Sequence, residues 1–115
     1  MKKLLWKQAQ KLLEDNKNNQ LIFLAFTVQW CGDCKMMSPI INKIALKYKN
    51  LKKISFIEVD AEEANLLRDP NTNWEVLKVP TFILLQGQNI VEKGYEYIPE
   101  EILIDWIEKR LSAIS

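Results

Sequence analysis

The sequence predicts a single α/β domain over residues 1–115, with one sheet covered by helices on both faces. Three observations predict it. Segments with a helical repeat of apolar residues alternate with short apolar runs, in the order α-β-α-β-α-β-β-α. The run Leu21-Ile22-Phe23-Leu24-Ala25-Phe26-Thr27-Val28 is almost wholly apolar, as a strand covered on both faces must be. A chain of 115 residues, 48% of them hydrophobic, suffices for one packed core and hardly for two.

Each element has its own warrant. Residues 3–15 carry Leu5, Ala9, Leu12 and Leu13 at helical spacing, and Asp15-Asn16-Lys17-Asn18-Asn19 ends that helix with turn formers. The apolar strand follows. From Asp33 to about Tyr48 the helical pattern returns, offering Met36, Met37, Ile40, Ile41, Ile44 and Leu46 for packing. Pro39 lies inside it and should kink it, because proline removes a backbone donor and crowds the preceding turn. Ile54–Val59 reads as a strand, Ala61–Arg68 as a short helix, and Asp69-Pro70-Asn71-Thr72-Asn73 as a loop. Thr81–Leu85 and Ile90–Lys93 are strands joined by the turn Gln86-Gly87-Gln88-Asn89, an antiparallel pair. Pro99 opens the last helix, whose buried stripe is Ile102, Leu103, Trp106, Ile107 and Leu111. Trp6, Trp74 and Trp106 read as core or half-buried packing.

Composition excludes several classes of function. Sixteen Lys and Arg against fifteen Asp and Glu leave a net charge of +1, so there is no electrostatic footprint for nucleic acid or an anionic membrane. Lys43, Lys47, Lys49, Lys52 and Lys53 read as a solvated face. No run approaches the ~18 apolar residues of a membrane span. The basic start, Met1-Lys2-Lys3, is not followed by the apolar run of a signal peptide. Histidine is absent, which removes imidazole-based triads and most zinc chemistry.

The two cysteines, Cys31 and Cys34, are separated by Gly32 and Asp33. They are no disulfide framework for a small secreted fold. The expected residence is the cytoplasm, where thiols stay reduced and a close pair is catalytic or metal-binding more often than structural. Two thiols make half of a tetrahedral zinc set, so no metal is expected unless a dimer contributes four. A C-x-x-C between strand and helix puts its first sulfur where unpaired backbone N–H groups converge, which favours the nucleophilic thiolate. The spacer brings the second sulfur round one turn, where it can attack a mixed disulfide on the first. Cys31 is therefore the candidate nucleophile and Cys34 the candidate resolving thiol.

In these residues the sequence resembles the thioredoxin family, over nearly the whole chain. The anchors are Trp30-Cys31-Gly32-Asp33-Cys34-Lys35 after the apolar strand, and Val79-Pro80-Thr81. Pro39, Asp60 and Gly94 match further family positions. The resemblance implies the thioredoxin fold, a central mixed sheet of four or five strands with helices on both faces. It implies a cis Val79-Pro80 bond facing the sulfurs, and a substrate groove at Trp30, Val79, Pro80, Thr81 and Gly94. Trp30, beside the nucleophile, is expected to be an exposed contact surface. Gly32, Asp33 and Lys35 are expected to tune the pair.

Departures from the family bear on the chemistry. The commonest spacer is Gly-Pro; here Asp33 places a carboxylate in the first helical turn, good for the helix and opposed to a thiolate on Cys31. Typical members bury an aspartate on the central strand, where this chain has Ala25, and that carboxylate helps deprotonate the second thiol. Its usual lysine partner aligns with Phe56, with Glu58 two residues on. Thr27 and Gln29 replace a tryptophan and an acidic residue before the motif. Slower resolution by Cys34 is the expected consequence.

The leading reading is a thiol–disulfide oxidoreductase that reduces disulfide-containing partner proteins. It would use no bound cofactor, be recharged by a thiol reductase, and act as a monomer. The alternative is a thioredoxin-fold interaction module with weak redox activity. A glutaredoxin would need a basic glutathione site, and none is recognisable.

Overall fold

The computed structural model describes residues 1–114. Eight elements follow in chain order: β1 (Lys2–Leu4), α1 (Trp6–Glu14), β2 (Leu21–Thr27), α2 (Gly32–Lys47), β3 (Ile54–Asp60), β4 (Thr81–Gln86), β5 (Asn89–Tyr95) and α3 (Glu100–Ile114). The five strands form one mixed sheet in the order β1-β3-β2-β4-β5. β1 and β2 run parallel to β3, β4 runs antiparallel to β2, and β5 antiparallel to β4. β2 lies at the centre because every residue from Leu21 to Phe26 is apolar and buried, so it can be covered on both faces.

Alternation along the strands divides the core in two. On one face Ile22, Leu24 and Phe26 of β2 pack with Ile57 and Val59 of β3 and with Ala9 and Leu13 of α1. On the other, Phe23 and Ala25 of β2 pack with Phe82 of β4, with Met37, Ile41 and Ile44 of α2, and with Leu103 and Trp106 of α3. Trp6 and Trp74 close the first core edge-to-face, their centroids 5.6 Å apart. Among the described residues no buried side-chain nitrogen or oxygen lacks a partner. No described helix is long and apolar enough to cross a membrane.

Several sequence expectations change. The first helix starts at Trp6, because Lys2–Leu4 pairs with Ile57–Val59 as an edge strand. Its N-terminus is held from outside, the Trp6 N–H donating to Glu63 Oε1 at 2.8 Å. Leu5 and Leu12 are exposed, and the buried stripe is Ala9 and Leu13. Ala61–Arg68 forms a chain of turns, not a helix. Asp60 Oδ1 accepts the N–H groups of Glu62 and Glu63 at 2.8 and 3.2 Å, and Asn65 and Arg68 take φ of 58° and 61°, which no helix can propagate. α2 runs 16 residues through Pro39, and its Met36 and Leu46, like Ile102 of α3, face solvent. Gly87, with φ of 58°, makes the turn between β4 and β5, where a side chain would collide with Asn18.

Candidate active site

β2 ends at Thr27 and α2 begins at Gly32, so the thiol pair sits where a central strand meets a helix N-terminus. Cys31 is the N-cap of α2, with extended backbone (φ −90°, ψ 115°). Its sulfur accepts the backbone N–H of Cys34 at 3.1 Å, doing what a serine or aspartate oxygen does at other N-caps. On its other side it donates to the carbonyl oxygen of Val79 at 3.5 Å. The Val79-Pro80 peptide bond is cis. Pro80 is buried, and Thr81 behind it is fully buried with its hydroxyl donating to the Lys78 carbonyl at 2.6 Å.

The two sulfurs face different spaces. Cys31 is 6% exposed, and it lines a surface groove of about 590 Å³ with Trp30, Asp33, Leu77, Lys78 and Val79. Cys34 is 7% exposed and does not line that groove. It borders an inner cavity of about 20 Å³ with Ala25, Met37, Glu58, Pro80 and Phe82. Burial is the main cause that pushes the Cys34 thiol up to about 12; the hydrogen bond with Cys31 and the negative charge of Glu58 act the same way.

The flanking residues are placed as follows. Trp30 is 57% exposed and its indole N–H donates to Glu62 Oε1 at 3.0 Å, which pins the ring at the groove edge. Gly32, exposed, and Asp33, half-buried, form the first turn of α2, and nothing lies within 4 Å of where a Gly32 side chain would project. Lys35 is exposed, its N–H donating to the Cys31 carbonyl at 3.3 Å. Gly94 is not brought to the sulfurs: it pairs with Phe82 in the sheet, and a side chain there would meet Ile98 and Trp106. The residue beside Pro80 is Glu96, whose N–H donates to the Pro80 carbonyl at 2.7 Å. Glu96 has φ of 66° and pairs with Lys78 at 3.4 Å.

Sequence reasoning aligned the family's lysine position with Phe56, with Glu58 two residues on leaving that alignment open. The register pairs Ala25 with Glu58, and Phe56 with Phe23. A carboxylate therefore lines the cavity under Cys34, carried by β3 and not by β2. No group of three or more Cys, Asp and Glu side chains among the described residues could hold a metal ion.

An exposed-groove thiol capping a helix, a second thiol one turn behind it and a cis-proline against the pair define a thiol–disulfide oxidoreductase of the C-x-x-C class. Comparison with known proteins agrees. The thioredoxin family model matches residues 5–109, and the chain belongs to the thioredoxin family. It is 34% identical over 110 residues to the thioredoxin of Mycoplasmopsis pulmonis, covering 95% of this chain and 97% of that one. It is 31% identical over 100 residues to the thioredoxin of Staphylococcus saprophyticus, covering 85% and 89%. Among solved structures, thioredoxin NaTrxh from Nicotiana alata superposes with a TM-score of 0.80 at 30% identity, covering 95% and 90%. The fold is thus the thioredoxin fold, and the activity thiol–disulfide exchange on disulfide-containing substrates; the interaction-module reading is not favoured.

Proposed function

We propose that Cys31 opens disulfides in partner polypeptides and that Cys34 releases the product. One observation carries this division of labour: Cys31 borders the outer groove and Cys34 does not, lining the small cavity and a separate surface notch instead. The Cys31 thiolate attacks one sulfur of the substrate disulfide, and the other sulfur leaves as a thiolate. The mixed disulfide so formed is attacked by the Cys34 thiolate. A Cys31–Cys34 disulfide forms, the bond to the substrate breaks, and the substrate is left reduced by two electrons. A thiol reductase then supplies two electrons to restore the pair.

Trp30 and Val79 make the docking surface, with the buried Pro80 and Thr81 supporting Val79 from behind, and Gly32, Asp33 and Lys35 set the electrostatics at the nucleophile. The backbone of Val79 meets an extended substrate segment, while Gly94 acts as packing beneath α3. The chain works as one domain over residues 1–115, as a monomer with no bound cofactor. Cytoplasmic residence fits a dithiol that must be kept reduced. The test is reduction of insulin disulfides by dithiothreitol with catalytic amounts of protein. Acceleration that vanishes in Cys31→Ser supports the assignment; equal acceleration by Cys31→Ser and the native chain overturns it.

A further inference from the structure

Before Cys34 can attack, its thiol must lose a proton, and burial makes that loss costly. We propose that Glu58 is the proton acceptor for Cys34, acting as a general base through a single water while the sulfur attacks. This rests on the assignment of Cys34 as the resolving thiol. Three observations carry it. Among the described residues lining the inner cavity with Cys34, Glu58 is the one carboxylate. The cavity's volume, about 20 Å³, exceeds the roughly 10–15 Å³ that one water requires, and its polar lining supplies partners. The carboxylate is held in place: Thr27 of β2, two residues on from Glu58's register partner Ala25, donates its hydroxyl to Glu58 Oε2 at 2.7 Å.

The proton also has a way out. Glu58, Thr27, Ser38 and Cys34 border a second opening, a surface notch of about 230 Å³ that Lys3 and Lys35 also line. The charged and titratable groups facing Glu58 are therefore Lys3 on β1, directly across in the register, and Lys35 and Cys34 on α2. β2 presents only Ala25 and Thr27 there, and Met1, which carries the terminal amine, also lines the inner cavity. In the step, the Cys34 S–H proton passes to the water and a water proton to the Glu58 carboxylate. The Cys34 sulfur bonds to that of Cys31, the Cys31–substrate bond breaks, and the substrate leaves as a thiolate. Glu58 then returns the proton to solvent through the notch.

The experiment follows both thiols of the full chain with 5,5′-dithiobis(2-nitrobenzoate) at one equivalent in a stopped-flow instrument. Attack by Cys31 releases the first thionitrobenzoate, and attack by Cys34 on the mixed disulfide releases the second. Glu58→Gln is expected to leave the first release within about twofold and to slow the second at least tenfold at pH 7. The second release should be flat from pH 6 to 8 in the native chain. In the variant it should climb about tenfold per pH unit, as hydroxide becomes the acceptor. A second release unchanged by Glu58→Gln, or both releases falling together, overturns the proposal. Should the variant fail to fold by circular dichroism, the native profile decides: a flat second release supports Glu58, and a tenfold climb per pH unit overturns it. Absence of the first release in the native chain would strike instead at Cys31 as nucleophile.

Discussion

The sulfur of Cys31 accepts the backbone N–H of Cys34 at 3.1 Å, a contact that any residue at position 34 with a backbone N–H can make. Changing the second side chain therefore leaves the cap on the first sulfur intact. Cys34→Ser should hold captured polypeptides on Cys31 as stable mixed disulfides, visible as bands on a non-reducing gel that dithiothreitol removes. Cys31→Ser should capture none. Equal capture by the two variants would contradict the order of attack.

Asp33 stands in the first turn of α2, two residues from the nucleophile. At a separation of ~6 Å in a partly solvated site, its charge opposes a thiolate by on the order of 1 kcal/mol. Asp33→Pro removes that charge, and proline is tolerated in a first helical turn. The electrostatic expectation is a pair less reducing by about 20 mV, measured by equilibration with glutathione. An unchanged or more reducing potential would mean that proline's rigidity outweighs the charge.

Trp30 touches the groove with an exposed ring tethered to Glu62. Trp30→Ala should leave the unfolding midpoint nearly unmoved, since little of the ring is in the core. For protein disulfides kcat/KM should fall by roughly fivefold, about 1 kcal/mol of binding, while a small disulfide reagent reacts at the native rate. Equal losses with both substrates would mean that Trp30 shapes the thiol site and not the docking of a polypeptide.

Glu96 is held with φ of 66° by its bond to Pro80, a conformation costing a residue with a side chain about 1–2 kcal/mol. Glu96→Gly relieves that cost, adds about 0.5–1 kcal/mol of chain entropy, and loses a solvent-exposed ion pair with Lys78 of little worth. The expected result is a gain of up to about 1 kcal/mol in urea unfolding. A loss larger than ~0.5 kcal/mol would show that the carboxylate holds the loop.

Stability of the reduced protein should fall at alkaline pH. Cys34 is raised from 9.0 to about 12, chiefly by burial, and Tyr48 is raised by burial and by the Glu108 carboxylate that its hydroxyl meets at 2.6 Å. The fold keeps both groups protonated where the unfolded chain releases their protons. Their contribution is therefore complete at neutral pH and is lost as pH climbs from about 9 through 12. Urea midpoints at pH 7, 9 and 10.5 should drop in that order, and Cys34→Ala should drop less steeply. A Cys34→Ala protein with the native slope would assign the loss elsewhere.

What the sequence made legible was local chemistry. Trp30-Cys31-Gly32-Asp33-Cys34-Lys35 between a strand and a helix is a short motif whose geometry follows from its own residues, whereas the cis Val79-Pro80 bond was implied by the family resemblance and not by its own two residues. Relations between distant segments were harder. Glu58 lies across from Ala25 only because of strand register, and nothing inside either segment records that register. β1 escaped notice because three residues, two of them lysines, have no alternation to read; its pairing with β3 makes it a strand. Ala61–Arg68 has the composition of a helix, yet Asp60 binds the first N–H groups and burial of Ala61 and Leu66 fixes the path. Met36 and Leu46 had helical spacing, but a helix packed on one side leaves part of its apolar set outside.

Both sulfurs ride on the opening turn of one long helix, clamped further along by Met37, Ile41 and Ile44. The donor is thus a stiff post, with little give of its own to offer an incoming guest. Bending falls to the visitor, so a cystine in a slack or partly unravelled stretch should be served far sooner than one locked in a rigid module.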